Sequence, residues 1–313
     1  MLSLIILLIL AFLIIFPQKY MLISLNAIQI WYKILLPSLF PFFVFTKILT
    51  SLGYVENIST CFKKITYKLY KAPPISAYVF FMSILTGYPV GSKLCADLYN
   101  QRYISQAEAK KCITFTSNSG PMFIIGSVGI GMLISIKSAY IIYFSHILGA
   151  TCNGIIYRNI KSENANINTQ NKFKNVDTTL SSCVTDSIFS ILLIGGIMVI
   201  AFIVIEIANS LNLFYPLITL LSKIGIPQEI TTSMIDGFFE ITKGCLSVSN
   251  LNLSLSYKTI LSSAVISFGG ISTILQAMAF LKNIVTYKFF IKQKFTHMIL
   301  STLFCVLLCL IFF

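Results

Sequence analysis

The stretch TGYPVGSK, residues 86–93, interrupts an apolar run with two glycines, a proline and a lysine. Glycine ends a helix through its backbone freedom, proline through its missing N–H. Alone, such a break is as readily a kink in a membrane helix as part of a binding site. Its meaning depends on its surroundings and on whether the chain breaks in the same way elsewhere.

The surroundings are those of a chain built for lipid. Of 313 residues, 56% are hydrophobic and 11% charged, and the mean hydropathy is +0.85. Soluble domains keep to about 45–50% apolar residues. This composition therefore specifies an integral membrane protein, with roughly seven to nine segments of about 20 residues each. The 26 Phe and 15 Tyr suit lipid-facing and interfacial positions. A net charge of +13 falls largely in the loops between apolar runs, where topology and anionic lipid account for it, so nucleic acid is not an expected partner. The eight cysteines form no C-x-x-C pair and read as small buried hydrophobes. His146 and His297 lie far apart in sequence with no metal-ligand spacing. No nucleophile–base arrangement emerges, so an enzyme is not expected. The apolar N-terminus MLSLIILLILAFLIIFP lacks a basic lead and a small-residue cleavage site, and reads as a retained membrane segment.

Two halves follow one order of events. After an N-terminal segment and linker (1–31), the first repeat (32–157) holds a span near 33–53 and an amphipathic surface helix over 56–73. The broken segment 74–100 and spans near 112–135 and 138–157 complete it. A polar loop, 158–182, leads to the second repeat (183–313). This has a span near 183–208, an amphipathic piece at 211–225, a broken segment at 227–250, and spans near 258–281 and 296–313. GYPVGSK (87–93) corresponds to FFEITKG (238–244), and SNSGPMFIIGSVG (117–129) to ISFGGISTILQAM (266–278). Two ordered pairs at an offset near 150 residues read as an internal repeat.

The loop charges orient the halves. If both broken segments are re-entrant, the loops 56–73, 101–111, 158–180 and 282–294 share one side. They carry Lys and Arg in about a three-to-one excess over the other side, which makes theirs cytoplasmic. The N-terminus is then cytoplasmic and the C-terminus external. One hairpin enters from the cytoplasm and the other from outside. The expected fold is an all-α polytopic membrane protein of about seven transmembrane helices plus two opposed re-entrant hairpins in inverted repeats.

Broken helices survive at membrane depth around a protein-lined cavity, where half-helix N-termini offer free N–H groups to an anion. The candidate binding residues are accordingly Gly87, Pro89, Gly91, Ser92 and Lys93 at the first break, and Glu240, Thr242, Lys243 and Gly244 at the second. Where the matched helices open they are Asn118, Ser119, Gly120, Gly269, Gly270, Ser272 and Gln276. Lys93 and Lys243 supply cationic charge, unless Lys93 snorkels to the interface. Glu240, costly at such a place, is either partner to a lysine or a coupling-ion site. Asn118, Ser119, Ser272 and Gln276 either face the cavity or bond neighbouring helices. Gly126, Gly129 and Gly131 read as helix packing, and Asp97 and Asp236 as hairpin ends near water. No cofactor is expected. A coupling ion (proton or sodium) and a homo-oligomer are left open.

The residues LPSLFPFFVFTKIL (36–49), the block from Leu85 to Leu133 around TGYPVGSK, and FGGISTILQ (268–276) resemble the YlbJ family of sporulation integral membrane proteins. That family carries the nucleoside-recognition, or Gate, domain, and the resemblance covers nearly the whole chain. It implies a fold similar to that of concentrative nucleoside transporters. It also implies a role in endospore formation: movement of dipicolinate, a small planar dianion, out of the mother cell across the outer forespore membrane. The partners it implies are that anionic solute and the lipid bilayer. Nucleoside carriers have acidic tips on both hairpins, whereas this chain has Glu240 on one, which argues against a nucleoside substrate.

Overall fold

The structure, a computed structural model, describes residues 2–52, 59–160 and 179–313. Most of the polar loop, 161–178, and part of the expected amphipathic stretch, 56–58, lie outside them. Among the described residues every regular element is a helix.

α1 (Leu2–Ile15) stops before Pro17, which opens α2 (Pro17–Ile30) at a bend of 105°. α2 continues through a π-helical turn (Trp31–Leu35) into α3 (Leu36–Ser51). The expected linker and second span are therefore one continuous helix. At the π turn the Trp31 indole lies where Gly195 leaves room, and its N–H donates to the Ile191 carbonyl at 3.0 Å.

After a short amphipathic α4 (Lys63–Tyr70), α5 (Ser76–Thr86) and α6 (Val90–Asn100) flank the first break. α7 (Gln106–Thr116) starts with a capping box, in which Ser105 and Glu108 satisfy each other's backbone N–H groups. The expected polar loop at 101–111 is thus half helix. The span expected over 112–135 is itself broken at residues 117–120, and resumes as a π-helical stretch, Met122–Met132, before the uninterrupted α8 (Ile136–Tyr157).

The chain then continues past the polar loop with further helices. A long α9 (Leu180–Ser210) and a short α10 (Tyr215–Lys223) precede α11 (Gln228–Phe239) and α12 (Ile241–Ser249) on either side of a break. α13 (Leu255–Phe268) and α14 (Gly270–Leu281) are parted by Gly269, and α15 (Tyr287–Phe312) closes the chain. α15 begins well before the expected 296, capped by the Thr286 hydroxyl, which accepts from the Phe289 N–H at 3.3 Å. Lys288, Lys292 and Lys294 are therefore helical residues rather than loop charges.

Among the described residues four segments are long and apolar enough to cross a bilayer: α8, α9, α13 with α14, and α15. The bent α1–α2 pair makes a fifth if counted as one span. The chain is a multi-pass helical membrane protein. Six cysteines are buried, as expected, while Cys61 is exposed and Cys152 half-buried.

Each hairpin tip meets the following break backbone to backbone. Gly87 packs on Gly120, and Gly270 faces the carbonyls of Gly237 and Phe239. Between the halves α8 lies along α15, and Gly149 has no side chain where the Ser301 backbone approaches.

A candidate binding cavity between the helix breaks

The breaks near Gly87, at 117–120, at Glu240 and at Gly269 converge on one cavity of about 60 Å³. The first tip contributes Thr86 and Tyr88, and the residues after α7 contribute Ser119, Gly120 and Phe123. The second tip contributes Glu240, Ile241 and Thr242, and the start of α14 contributes Ser272, Thr273 and Gln276. Leu35 and Leu39 with Ile194 and Met198 of α9 form the apolar wall. The volume suits a few water molecules. A larger ligand requires the tips to part.

Each tip has a local cause. Gly87 takes φ +78°, a value that favours glycine, and lets the chain leave α5. Glu240 is extended, with φ −142°; it ends α11 and caps α12, its carboxylate accepting the Lys243 N–H at 2.7 Å. The α12 N-terminus is thus served by the chain's own carboxylate, not by a foreign anion. Glu240 pairs with that backbone rather than with a lysine side chain. The start of α14 differs: its cap residue, Gly269, has no side chain to offer, and the Ser272 hydroxyl is buried without a partner.

Of the residues expected at the site, Ser119, Gly120, Glu240, Thr242, Ser272 and Gln276 line the cavity. The others do not. Lys93 is exposed on α6, while Gly91 and Ser92 of the same turn are buried. Lys243 is ion-paired with Asp236 at 3.3 Å and lies over the Phe202 ring. It lines a separate, more open cavity of about 520 Å³ between α2, the Trp31 turn, α9 and α12. Asp236, expected near water, is buried, and also accepts from the Ser247 hydroxyl at 2.6 Å. Asn118 bonds a neighbouring helix, donating to the Ser83 hydroxyl at 3.1 Å and to the Phe115 carbonyl at 2.8 Å. Pro89, Gly91 and Ser92 are buried behind the tip, with Gly91 against the Thr116 carbonyl. Gly244 packs on Gly237, while Gly269 and Gly270 supply positive φ.

Sequence reasoning missed the polar cluster beneath the first tip. Lys294, fully buried, donates to the Tyr88 hydroxyl, to the Ser117 carbonyl at 3.1 Å and toward His297 Nδ1 at 3.4 Å. His297 and His146, 151 positions apart, bring their ring centroids to 4.6 Å. A signal existed: Lys294, His297, Ser301 and Cys305 recur at helical spacing and form the buried face of α15, with Lys288 and Lys292 exposed.

Fold and cavity together define a class: a multi-pass helical membrane protein whose broken helices line a cavity with both polar and apolar walls. The chain is 24% identical over 294 residues, 85% of its length and 72% of its relative's, to the "Sporulation integral membrane protein YlbJ" of Bacillus subtilis strain 168. The chain is thus similar to that sporulation protein over most of its length. No family model and no solved structure matches it.

Proposed function

We propose that this protein is a carrier for a small organic anion, dipicolinate, that moves it out of the mother cell during endospore formation by alternating access around the two hairpin tips. The observation that carries this reading is the convergence of four helix breaks on one cavity. Irregular backbone at membrane depth is tolerated where it lines such a space, and broken helices in corresponding halves mark carrier sites. The contact between His146 and His297 at an offset of 151 supports a pseudo-two-fold axis running between α8 and α15. About seven spans and two opposed hairpins, similar to concentrative nucleoside transporters, follow on this reading. The 520 Å³ cavity beside Lys33 and Lys243 is then the external vestibule. The name of the B. subtilis relative supports a role in sporulation.

The full chain in liposomes is expected to give saturable dipicolinate uptake that Lys93→Gln leaves within about twofold, since an exposed substitution away from a site shifts energies by roughly 0.5 kcal/mol or less. Folded protein with neither flux nor binding would turn the reading into that of a membrane scaffold. Topology has its own test. In a Cys61→Ser background, Arg102→Cys and Lys288→Cys are expected to label from the cytoplasmic face and Tyr257→Cys from outside. All three positions are exposed. Labelling of Tyr257→Cys from the cytoplasmic face would remove the inverted repeat.

A further inference from the structure

Lys294 is a buried lysine with no carboxylate partner among the described residues, so a charge on it is met only by hydrogen-bond acceptors. Its ammonium has three hydrogens, and three acceptors surround it: the Tyr88 hydroxyl, the Ser117 carbonyl and His297 Nδ1. The imidazole roles follow from their partners. His297 Nε2 lies 3.1 Å from the His146 carbonyl, which only accepts, so Nε2 carries the hydrogen and Nδ1 offers a lone pair to Lys294. His146 Nε2 accepts from the Ser119 N–H at 3.0 Å, which leaves its Nδ1–H for the Ser267 hydroxyl at 2.9 Å. Neither ring takes up a proton without losing one of these bonds. Among the described residues no carboxylate lies within ion-pairing distance of Lys294.

The consequence falls on Tyr88. Its oxygen accepts from Lys294, which leaves its own O–H to donate to another group, and Tyr88 is one of the residues that line the cavity. An uncompensated buried charge is costly. A carboxylate accepting the Tyr88 O–H supplies the missing negative charge one hydroxyl away from the ammonium. The opposite tip carries Glu240, itself a carboxylate, held by the Lys243 N–H. The cavity is therefore polarised, with a cation-backed donor at one tip and an anion at the other.

We infer that Tyr88, backed by the Lys294 ammonium, is the group that takes an anionic oxygen of the solute, and that Glu240 opposes a second negative charge at the far end. This deepens the anion-carrier reading and rests on it. The role expected of Lys93 and Lys243 passes to a residue pair from the first tip and α15.

The test is equilibrium binding of dipicolinate, and of its uncharged diamide, to the detergent-purified full chain. Wild type is expected to prefer the dianion. Tyr88→Phe keeps the ring and removes the donor, and is expected to weaken dianion binding about tenfold or more, with little change for the diamide. Lys294→Met is expected to weaken it at least as much, and Lys294→Arg to restore part of the loss. Glu240→Gln is expected to tighten it. Thermal unfolding of each variant separates lost binding from lost folding, and Tyr88→Phe decides the matter if Lys294→Met does not fold. Dipicolinate binding by wild type that Tyr88→Phe leaves unchanged overturns this inference and spares the carrier reading. The absence of binding by folded wild type overturns both.

Discussion

Replacing Gly87 by alanine is expected to cost about 2–5 kcal/mol, adding backbone strain to an unrelievable overlap. Gly87 sits at φ +78°, which a side chain resists. A Cβ there meets the Gly120 backbone, including its Cα at 2.9 Å. A flexible side chain could swing away from such a contact, but these atoms belong to a second helix break that carries its own cavity-lining residues. The overlap therefore parts the first tip from Ser119 and Gly120. Thermal unfolding of the full chain in detergent should show a fall of several degrees or more, with dipicolinate binding lost at the same time. Gly196→Ala is the control. Nothing lies within 4 Å of a Cβ there, and alanine favours a helix by about 1 kcal/mol over glycine, so that variant should be as stable as wild type or more so. Equal stability of Gly87→Ala and wild type would mean that the two breaks are not in contact.

The breaks were legible in the sequence because glycine, proline and serine carry their conformational chemistry locally. Gly87 with Pro89, Gly120, and Gly269 with Gly270 each stand where the helix stops, and the second tip falls at Glu240 within the matched stretch. What could not be read was which side chains the breaks bring together. Lys93 and Lys243 sit at matching places in sequence, yet one points outward and the other is held by Asp236. A helix places successive residues about 100° apart, so adjacency to a break does not fix the face. Lys294 was concealed for the opposite reason. In KNIVTYKFFIKQK, four lysines within 13 residues average to a basic loop. The Thr286 cap starts a helix at Tyr287, and of the four lysines three are exposed while Lys294 is buried. The count of loop charges includes Lys288, Lys292 and Lys294, which lie within α15.

Glu240 shows how one residue serves two purposes at a tip. As the cap of α12 it takes up N–H groups that a foreign anion would otherwise seek, and as a lining residue it sets the sign of charge at that end of the cavity. α14, with only glycine at its cap and Ser272 free, keeps its donors available. The two breaks thus present unlike ends to the cavity, which a symmetric pair of lysines would not have done.

Lys243→Met is expected to destabilise the chain by about 3 kcal/mol, near the lower end of the range for breaking a buried pair because the lysine keeps contact with the open cavity. Asp236, buried with its side chain 8% exposed, then loses its cation and keeps only the Ser247 hydroxyl. Asp236→Asn is expected to cost less, since Lys243 lines the 520 Å³ cavity and recovers water there. The double variant should regain most of the stability lost by Lys243→Met, giving a coupling of about 1–3 kcal/mol for residues in direct contact. Thermal or denaturant unfolding of the four proteins measures it. The pair joins α11 to α12 across the Glu240 break, so its loss loosens the second hairpin from within. Under conditions where Lys243→Met remains folded, dipicolinate affinity should stay within about threefold of wild type, a shift of about 0.7 kcal/mol or less. A selective loss of binding with stability unchanged would return Lys243 to the ligand and remove it from the clamp. The asymmetry between the two single variants is the sharper reading: equal costs would mean that both charges are equally shut away from water, which the open cavity beside the lysine argues against.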